Sequence, residues 1–202
     1  MVNRMPRESL SPRWLVAWLG RTGTGAALVW GFAEGTLFFV VPDVGFTLTT
    51  AFRPSRGLAQ LALAVAGALV AGSVMYAWAR SNPREARAAV AAVPFVGESM
   101  IEATDRRLDS RGVRAMFDSP LGGVPYKVYA VLAPERLSYA EFLLLSVLAR
   151  AERMLVTWIP TALIARWFRR MEEGRKRRIL LIAHAAIWIV VYALYWGKLW
   201  PA

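Results

Sequence analysis

The sequence predicts an all-α polytopic membrane protein with about three spanning helices, two broken apolar segments and peripheral amphipathic helices. Three observations carry that prediction. The chain has 202 residues and is 56% hydrophobic, and its apolar residues gather into long runs. One of these, 57–79, holds no charged side chain at all, and another, 179–196, holds His184 as its only readily ionised group below neutral pH. Each is long enough to cross ~30 Å of hydrocarbon as a helix. Two further apolar segments, 24–52 and 119–135, are interrupted by prolines, glycines and charges, which an ordinary spanning helix does not tolerate.

In chain order, the N-terminus does not read as a cleaved signal peptide. Residues 1–10 are polar, and the apolar run Trp14 to Leu19 is shorter than a usual signal core. With Arg13 and Arg21 on its flanks, that run reads as a short helix lying in the membrane interface. The segment 24–52 follows, with Glu34 inside its apolar run and Pro42 and Asp43 just past it. Residues 57–79 form the first spanning helix, with small residues at Ala64, Gly67, Ala68, Ala71 and Gly72 that allow another backbone to approach closely. The polar stretch 80–118 reads as surface helices over 83–93 and 98–117, separated at Pro94 and Gly97. It is too short for an independent core, so the whole chain, 1–202, is expected to be a single membrane domain.

The segment 119–135 contains three prolines and the Gly122-Gly123 pair. A re-entrant loop, entering and leaving on one side, fits it better than a span. Breaks are expected at Pro42 in the first broken segment and at Gly122, Gly123 and Pro125 in the second. A long helix over 138–168, a basic loop and the last span complete the chain. A broken segment followed by a helix occurs twice, and paired broken segments point to a binding site where they meet.

The net charge of +11 raises the question of nucleic acid. In a membrane chain it is better explained by anionic headgroups and the excess of Lys and Arg on cytoplasmic loops, so no nucleic-acid partner is expected. Arg166, Arg169, Arg170, Arg175, Lys176, Arg177 and Arg178 face only Glu172 and Glu173, which puts this loop on the cytoplasmic side. Arg4, Arg7, Arg13 and Arg21 against Glu8 put the N-terminus there too. If neither broken segment crosses, 80–118 and the C-terminus lie outside. Cysteine is absent, which excludes disulfides and Cys-based zinc sites. Trp14, Trp18, Trp78, Trp158, Trp167, Trp196 and Trp200, near predicted helix ends, read as interfacial anchors.

Candidate functional residues are the charges at membrane depth. Glu34 and Asp43 are costly there unless they face protein or a wet cavity, and such carboxylates mark transport or proton pathways. On the long helix, Ser146, Ala149, Arg150, Arg153 and Thr157 share one side, and two guanidiniums there need counter-charges. Glu34, Asp43 or a bound phosphate would supply them. Lys127, in the proline- and glycine-rich loop, either joins exposed backbone N–H groups in an anion site or reaches headgroups. Ala68, Gly72, Tyr76 and Arg80 stack along one face at four-residue spacing, and Arg80 either joins the anion site or snorkels to the interface. His184 reads as a hydrogen-bonded packing residue. A Ser73–His184 dyad would mean an intramembrane protease, but Ala71-Gly72-Ser73-Val74 lacks the Gly-x-Ser-Gly context of those enzymes. Glu152 lies opposite Arg150 with no partner evident. No metal site and no cofactor are expected, and an enzyme is not.

Taken together, Glu34-Gly-Thr-Leu-Phe-Phe-Val-Val-Pro-Asp43, Gly67…Gly72…Tyr76-Ala-Trp-Ala-Arg80, Val124-Pro-Tyr-Lys-Val-Tyr-Ala130 and Phe142…Ala149-Arg-Ala-Glu-Arg153 resemble the DedA superfamily, also called the VTT or SNARE-associated domain, and especially its YqaA-like branch. The resemblance covers roughly 20–168 and leaves 169–202 as a basic loop plus a C-terminal span. It implies two facing re-entrant hairpins, and transbilayer movement of phospholipid or polyprenyl phosphate with proton coupling. Its essential carboxylates would fall on Glu34 and Asp43, and its second re-entrant basic residue on Lys127. Many members carry a further Arg six residues earlier, where this chain has Leu121, so that charge is missing or is supplied by Arg150 or Arg153.

The expected function is transport of an anionic lipid or lipid phosphate across the bacterial inner (cytoplasmic) membrane by a multi-pass protein. Membrane lipids and protons would be its partners, Lys127, Arg150, Arg153 and Arg80 would hold the headgroup, and the oligomeric state stays open, a homo-oligomer included. The alternatives are a proton- or cation-coupled antiporter of small ions or drugs, and a non-transporting membrane scaffold whose charges only lock helices together.

Overall fold

The computed structural model describes residues 13–118 and 123–199, and these are helical or irregular with no strand among them. The helices are α1 Arg13–Trp18, α2 Arg21–Gly35, α3 Asp43–Phe52, α4 Pro54–Ser81, α5 Pro83–Ala91, α6 Gly97–Arg111, α7 Tyr126–Leu132, α8 Tyr139–Trp167 and α9 Glu173–Leu199. Gly122, Leu121, Trp200 and the side chain of Trp196 lie outside what is described.

Two helices are long and apolar enough to cross a membrane: α4, and α9 through Leu194. Only 6% of the most apolar window of α9 is buried, and Ile182, Ile187, Ile189, Val190 and Leu194 are exposed along it. An apolar face of that length has no counterpart on an ordinary water-facing monomer. The expected third span, α8, has 29 residues, but Arg150, Glu152 and Arg153 interrupt its apolar sequence. Among the described residues two helices, not three, meet both criteria.

The central element is α4, which touches α2, α3, α5, α7 and α8. Its small residues work as the sequence implies. A Cβ on Gly31 of α2 would overlap the Ala64 backbone, and one on Gly67 would overlap the carbonyl of Leu28. The two helices therefore meet backbone to backbone. On the next face, a Cβ on Gly72 would overlap the Tyr126 ring. Tyr76 stacks on Phe142 at 5.2 Å and donates to the Leu137 carbonyl at 2.7 Å. Gly67, Gly72 and Tyr76 thus place α2, α7 and α8 around one helix.

Several expected boundaries move. The surface helix drawn to 117 ends at Arg111, because Gly112 adopts φ +58°, and a 3-10 turn continues over 112–118. The basic segment is less of a loop than expected: Arg166 belongs to α8, and Arg175 to Arg178 form the first turns of α9. Ser138 caps α8 in a reciprocal capping box with Glu141. Interface anchoring does not describe Trp18, whose Nε1 donates to Gly45 O at 3.0 Å and whose ring meets Trp30 edge-on. Trp14 and Trp167 are exposed as anchors would be. In α1, Leu15 is buried while Trp14 and Val16 face outward, and Leu19, just past its end, is buried too.

Gly67→Ala overpacks the α2–α4 contact and lowers stability by about 1–3 kcal/mol. Gly25→Ala, where nothing lies within 4 Å of the added carbon, raises it by about 0.5–1 kcal/mol through helix propensity. Unfolding midpoints of the purified variants in one detergent check both signs. The two bonds from Ser138 hold the Glu141 carboxyl below its usual range. The carboxylate's part of the cap is therefore complete above the unfolded-state value near ~4.3 and is lost as pH falls through the lower folded-state value. Ser138→Ala costs about 1 kcal/mol at pH 7, and the difference from wild type narrows in acid.

Candidate functional site

The first broken segment leaves α2 at Thr36 and re-enters a helix at Asp43, with Pro42 as the N-terminal cap of α3. Its irregular backbone, 36–42, needs partners for its polar groups, and side chains from three other elements provide them. Trp30 Nε1 donates to Val40 O at 2.8 Å, Tyr192 Oη accepts from Val41 N at 3.1 Å, and Lys127 Nζ donates to Phe38 O at 2.8 Å. Away from water an unmatched backbone group is costly, so these bonds hold the break open in one shape. The second broken segment approaches in the same way. Gly123 has φ +68°, which favours glycine, and Pro125 is the extended cap of α7. Lys127, in the first turn of α7 and only 1% exposed, ties one broken segment to the other. The expectation that it sits among backbone N–H groups is corrected: its ammonium is bonded to a carbonyl.

Against these two breaks lies the polar side of α8. Arg150 Nη2 donates to Glu34 Oε2 at 2.5 Å, with both side chains almost fully enclosed. One turn on, Arg153 Nη1 donates to Asp43 Oδ2 at 3.0 Å and Thr157 Oγ1 donates to Asp43 Oδ1 at 2.8 Å. Arg150 also lies over the Tyr126 ring, 5.1 Å from its centroid, a favourable cation–π placement. Asp43 stands in the first turn of α3, where the helix dipole favours a carboxylate. The cluster holds two carboxylates and three cations, so with all five ionised it carries one excess positive charge. The Nε–H of Arg150 is buried without an acceptor among the described residues.

The cluster borders a cavity of about 230 Å³ lined by Glu34, Asp43, Lys127, Arg150, Arg153 and Tyr192 among others. That volume holds a phosphate-sized group with several waters. The turn between α5 and α6, from Val93 to Val96, closes one side of it, with Phe95 at φ +67° and its ring edge-on to Phe39.

The structure thus gathers Glu34, Asp43, Lys127, Arg150 and Arg153 into one place, beside Pro42, Gly123 and Pro125. Arg80 is not there: it is exposed in the last turn of α4, one helix end away, and its inclusion among the anion ligands is corrected. Glu152 is exposed on the far side of α8. His184 packs against α3, with Nε2 3.1 Å from Val44 O and 3.2 Å from Thr47 Oγ1. Ser73 donates to Leu69 O and accepts from Tyr139, so the two form no dyad. Sequence reasoning missed Tyr192 and the 93–96 turn. His184, Trp188 and Tyr192 recur every four residues on α9, a signal that would have found the first. Nothing in the spacing of the turn foretold its position.

Comparison with protein-family models, with curated proteins and with solved structures returns no match to this chain.

Removing one partner of the enclosed pair is costlier than removing both. Arg150→Met leaves Glu34 uncompensated and lowers stability by about 3–5 kcal/mol, whereas Glu34→Leu with Arg150→Met recovers most of that loss. Chemical or thermal unfolding of the two single variants and the double variant in one detergent measures the coupling.

Proposed function

We propose that this chain is a multi-pass inner-membrane transporter, of the DedA type that its sequence resembles, moving an anionic lipid or lipid phosphate between leaflets. The observation that carries this reading is the buried, net-positive cluster of Glu34, Asp43, Lys127, Arg150 and Arg153 around a cavity where two broken segments meet. Charges this deep in an apolar protein are costly, and they pair or serve a pathway. A phosphate entering the cavity would compete with Glu34 for Arg150, whose Nε–H has a donor to spare and whose planar fork suits an anion of that shape. Protonation of Glu34 or Asp43 would then free its arginine for the headgroup, and deprotonation would expel the headgroup again. Binding of proton and lipid phosphate would alternate on the same guanidinium, which is the differential affinity that a coupled cycle needs. In this reading the two broken segments are re-entrant hairpins facing each other, α5 and α6 lie over one side of the membrane, and the basic ends of α8 and α9 lie on the cytoplasmic side.

A scaffold is the second reading, supported by the one-to-one matching of each carboxylate to an arginine. The relevant charge exchange is then Glu34 with Arg150 and Asp43 with Arg153, and not Glu34 with Arg153.

Two measurements separate the readings. In proteoliposomes, headgroup flipping of an anionic fluorescent phospholipid falls about tenfold or more in Glu34→Gln and in Lys127→Ala, the scale of one charge-assisted bond. Wild-type rates in both variants sink the transport reading. Under the scaffold reading the exchanged pair Glu34→Arg with Arg150→Glu regains the wild-type melting point, and no lipid movement depends on it.

A further inference from the structure

At the opposite end of α4 from Arg80, the start of α4, the end of α8 and the start of α9 enclose a second groove, of about 730 Å³. Its walls change character along its length. Ile159, Ala162 and Leu163 make an apolar side on α8, and Arg166, Arg169 and Lys176 make a basic rim against the single carboxylate of Glu173. Neither Arg166 nor Arg169 has a carboxylate partner among the described residues. Lys176 bonds Glu173 at 3.3 Å, but Glu173 is itself 85% exposed, so that pair is solvated and weak. Two more features favour an anion with oxygen acceptors. The start of α4, at Pro54 and Ser55 in the groove wall, has no side-chain cap, and its free N–H groups and dipole attract negative charge. The indole Nε1 of Trp158, another wall residue, is buried with no acceptor among the described residues, and a buried donor left unmatched is costly. By contrast, the start of α9 is already filled, because the Glu172 carboxylate accepts from Gly174 N and Arg175 N.

We infer that this groove is a binding site for an anionic phospholipid of the surrounding bilayer, separate from the central cavity. The phosphate sits on Arg166, Arg169 and Lys176, an ester or phosphate oxygen accepts from Trp158, and an acyl chain runs down Ile159 and Leu163. Basic rims above apolar helix surfaces recognise acidic headgroups in this way. The site rests on charge and apolar continuity at one membrane face and not on the transport reading. It holds lipid in place, whereas the central cavity would pass lipid through.

Native mass spectrometry of the detergent-purified chain with equal amounts of phosphatidylglycerol and phosphatidylcholine tests it. Wild type is expected to retain phosphatidylglycerol preferentially, by about tenfold or more. The triple variant Arg166→Gln, Arg169→Gln, Lys176→Gln loses that preference, while Glu34→Leu with Arg150→Met, altered in the central cavity with both charges of one pair removed, keeps at least one phosphatidylglycerol adduct. Glu173→Gln, which removes the competing carboxylate at an exposed position, strengthens retention and keeps the test decisive should the triple variant not fold. Free phosphate at the same concentration does not displace the adduct, because it lacks the acyl chain. Equal retention of the two lipids by wild type overturns the inference. So does a preference lost in the central variant but unchanged in both groove variants, and so does displacement by free phosphate.

Discussion

Two guanidiniums on adjacent turns of α8 reach across to carboxylates on either side of the first break, Arg150 to Glu34 before it and Arg153 to Asp43 after it. The two pairs hold both ends of an irregular stretch that has no repeating hydrogen bonds of its own. Enclosed charges of this kind repay their desolvation only when geometry is good and each charge is matched. That requirement explains why α8 turns Arg150 and Arg153 toward the two breaks, on a side where Ser146 and Arg150 are buried. It also explains why the backbone between Thr36 and Pro42 can run irregularly through an apolar protein. Its carbonyls and N–H groups are taken up by Trp30, Lys127 and Tyr192, each delivered by a different element.

Around that network the packing is arranged for close approach. Glycines and alanines on α2 and α4 bring the two backbones together, which sets the depth at which Glu34 emerges from the last turn of α2. Gly72 makes room for Tyr126, and the Tyr126 ring then lies beneath Arg150. A change at Gly72 would therefore be felt by the arginine cluster without touching it directly. Small residues on α4 and charges on α8 are in this sense one device. Close helix packing positions the broken segments, and the ion pairs define their shape.

The charge inventory also separates the two ends of α4. The cluster of Lys and Arg at the end of α8 and the start of α9 lies at the end of α4 opposite α5 and α6, about 42 Å away along a helix rising ~1.5 Å per residue. Acidic and basic residues are mixed at α5 and α6: Arg87 of α5 bonds Glu98 of α6, and Arg136, just before α8, bonds Asp105 and Asp109 of α6. The Arg136 pairs tie α6 to the start of α8, whereas Arg166 and Arg169 at the opposite end have no carboxylate partner among the described residues.

Periodicity and composition alone determined the helical class and the apolar runs that became α4 and α9, and they singled out Pro42 and Pro125, which stand as the N-terminal caps of α3 and α7. Those features follow from local chemistry: prolines and glycines gathered in one short stretch interrupt a helix where a single Pro160 or Gly67 inside one does not, and an uncharged run of membrane length reads the same in any fold. The shared face of Arg150, Arg153 and Thr157 was also legible, because it depends only on the 3.6-residue repeat. Tertiary structure decided which carboxylate meets which arginine, since Glu34 and Asp43 are more than a hundred residues from their partners. It decided that Lys127 binds a carbonyl and not a ring of N–H groups, that Arg80 points away, and that Tyr192 and the 93–96 turn border the cavity. Each of those outcomes depends on how separate helices are brought together, and no local pattern in a chain encodes the distance between two elements that only packing can set.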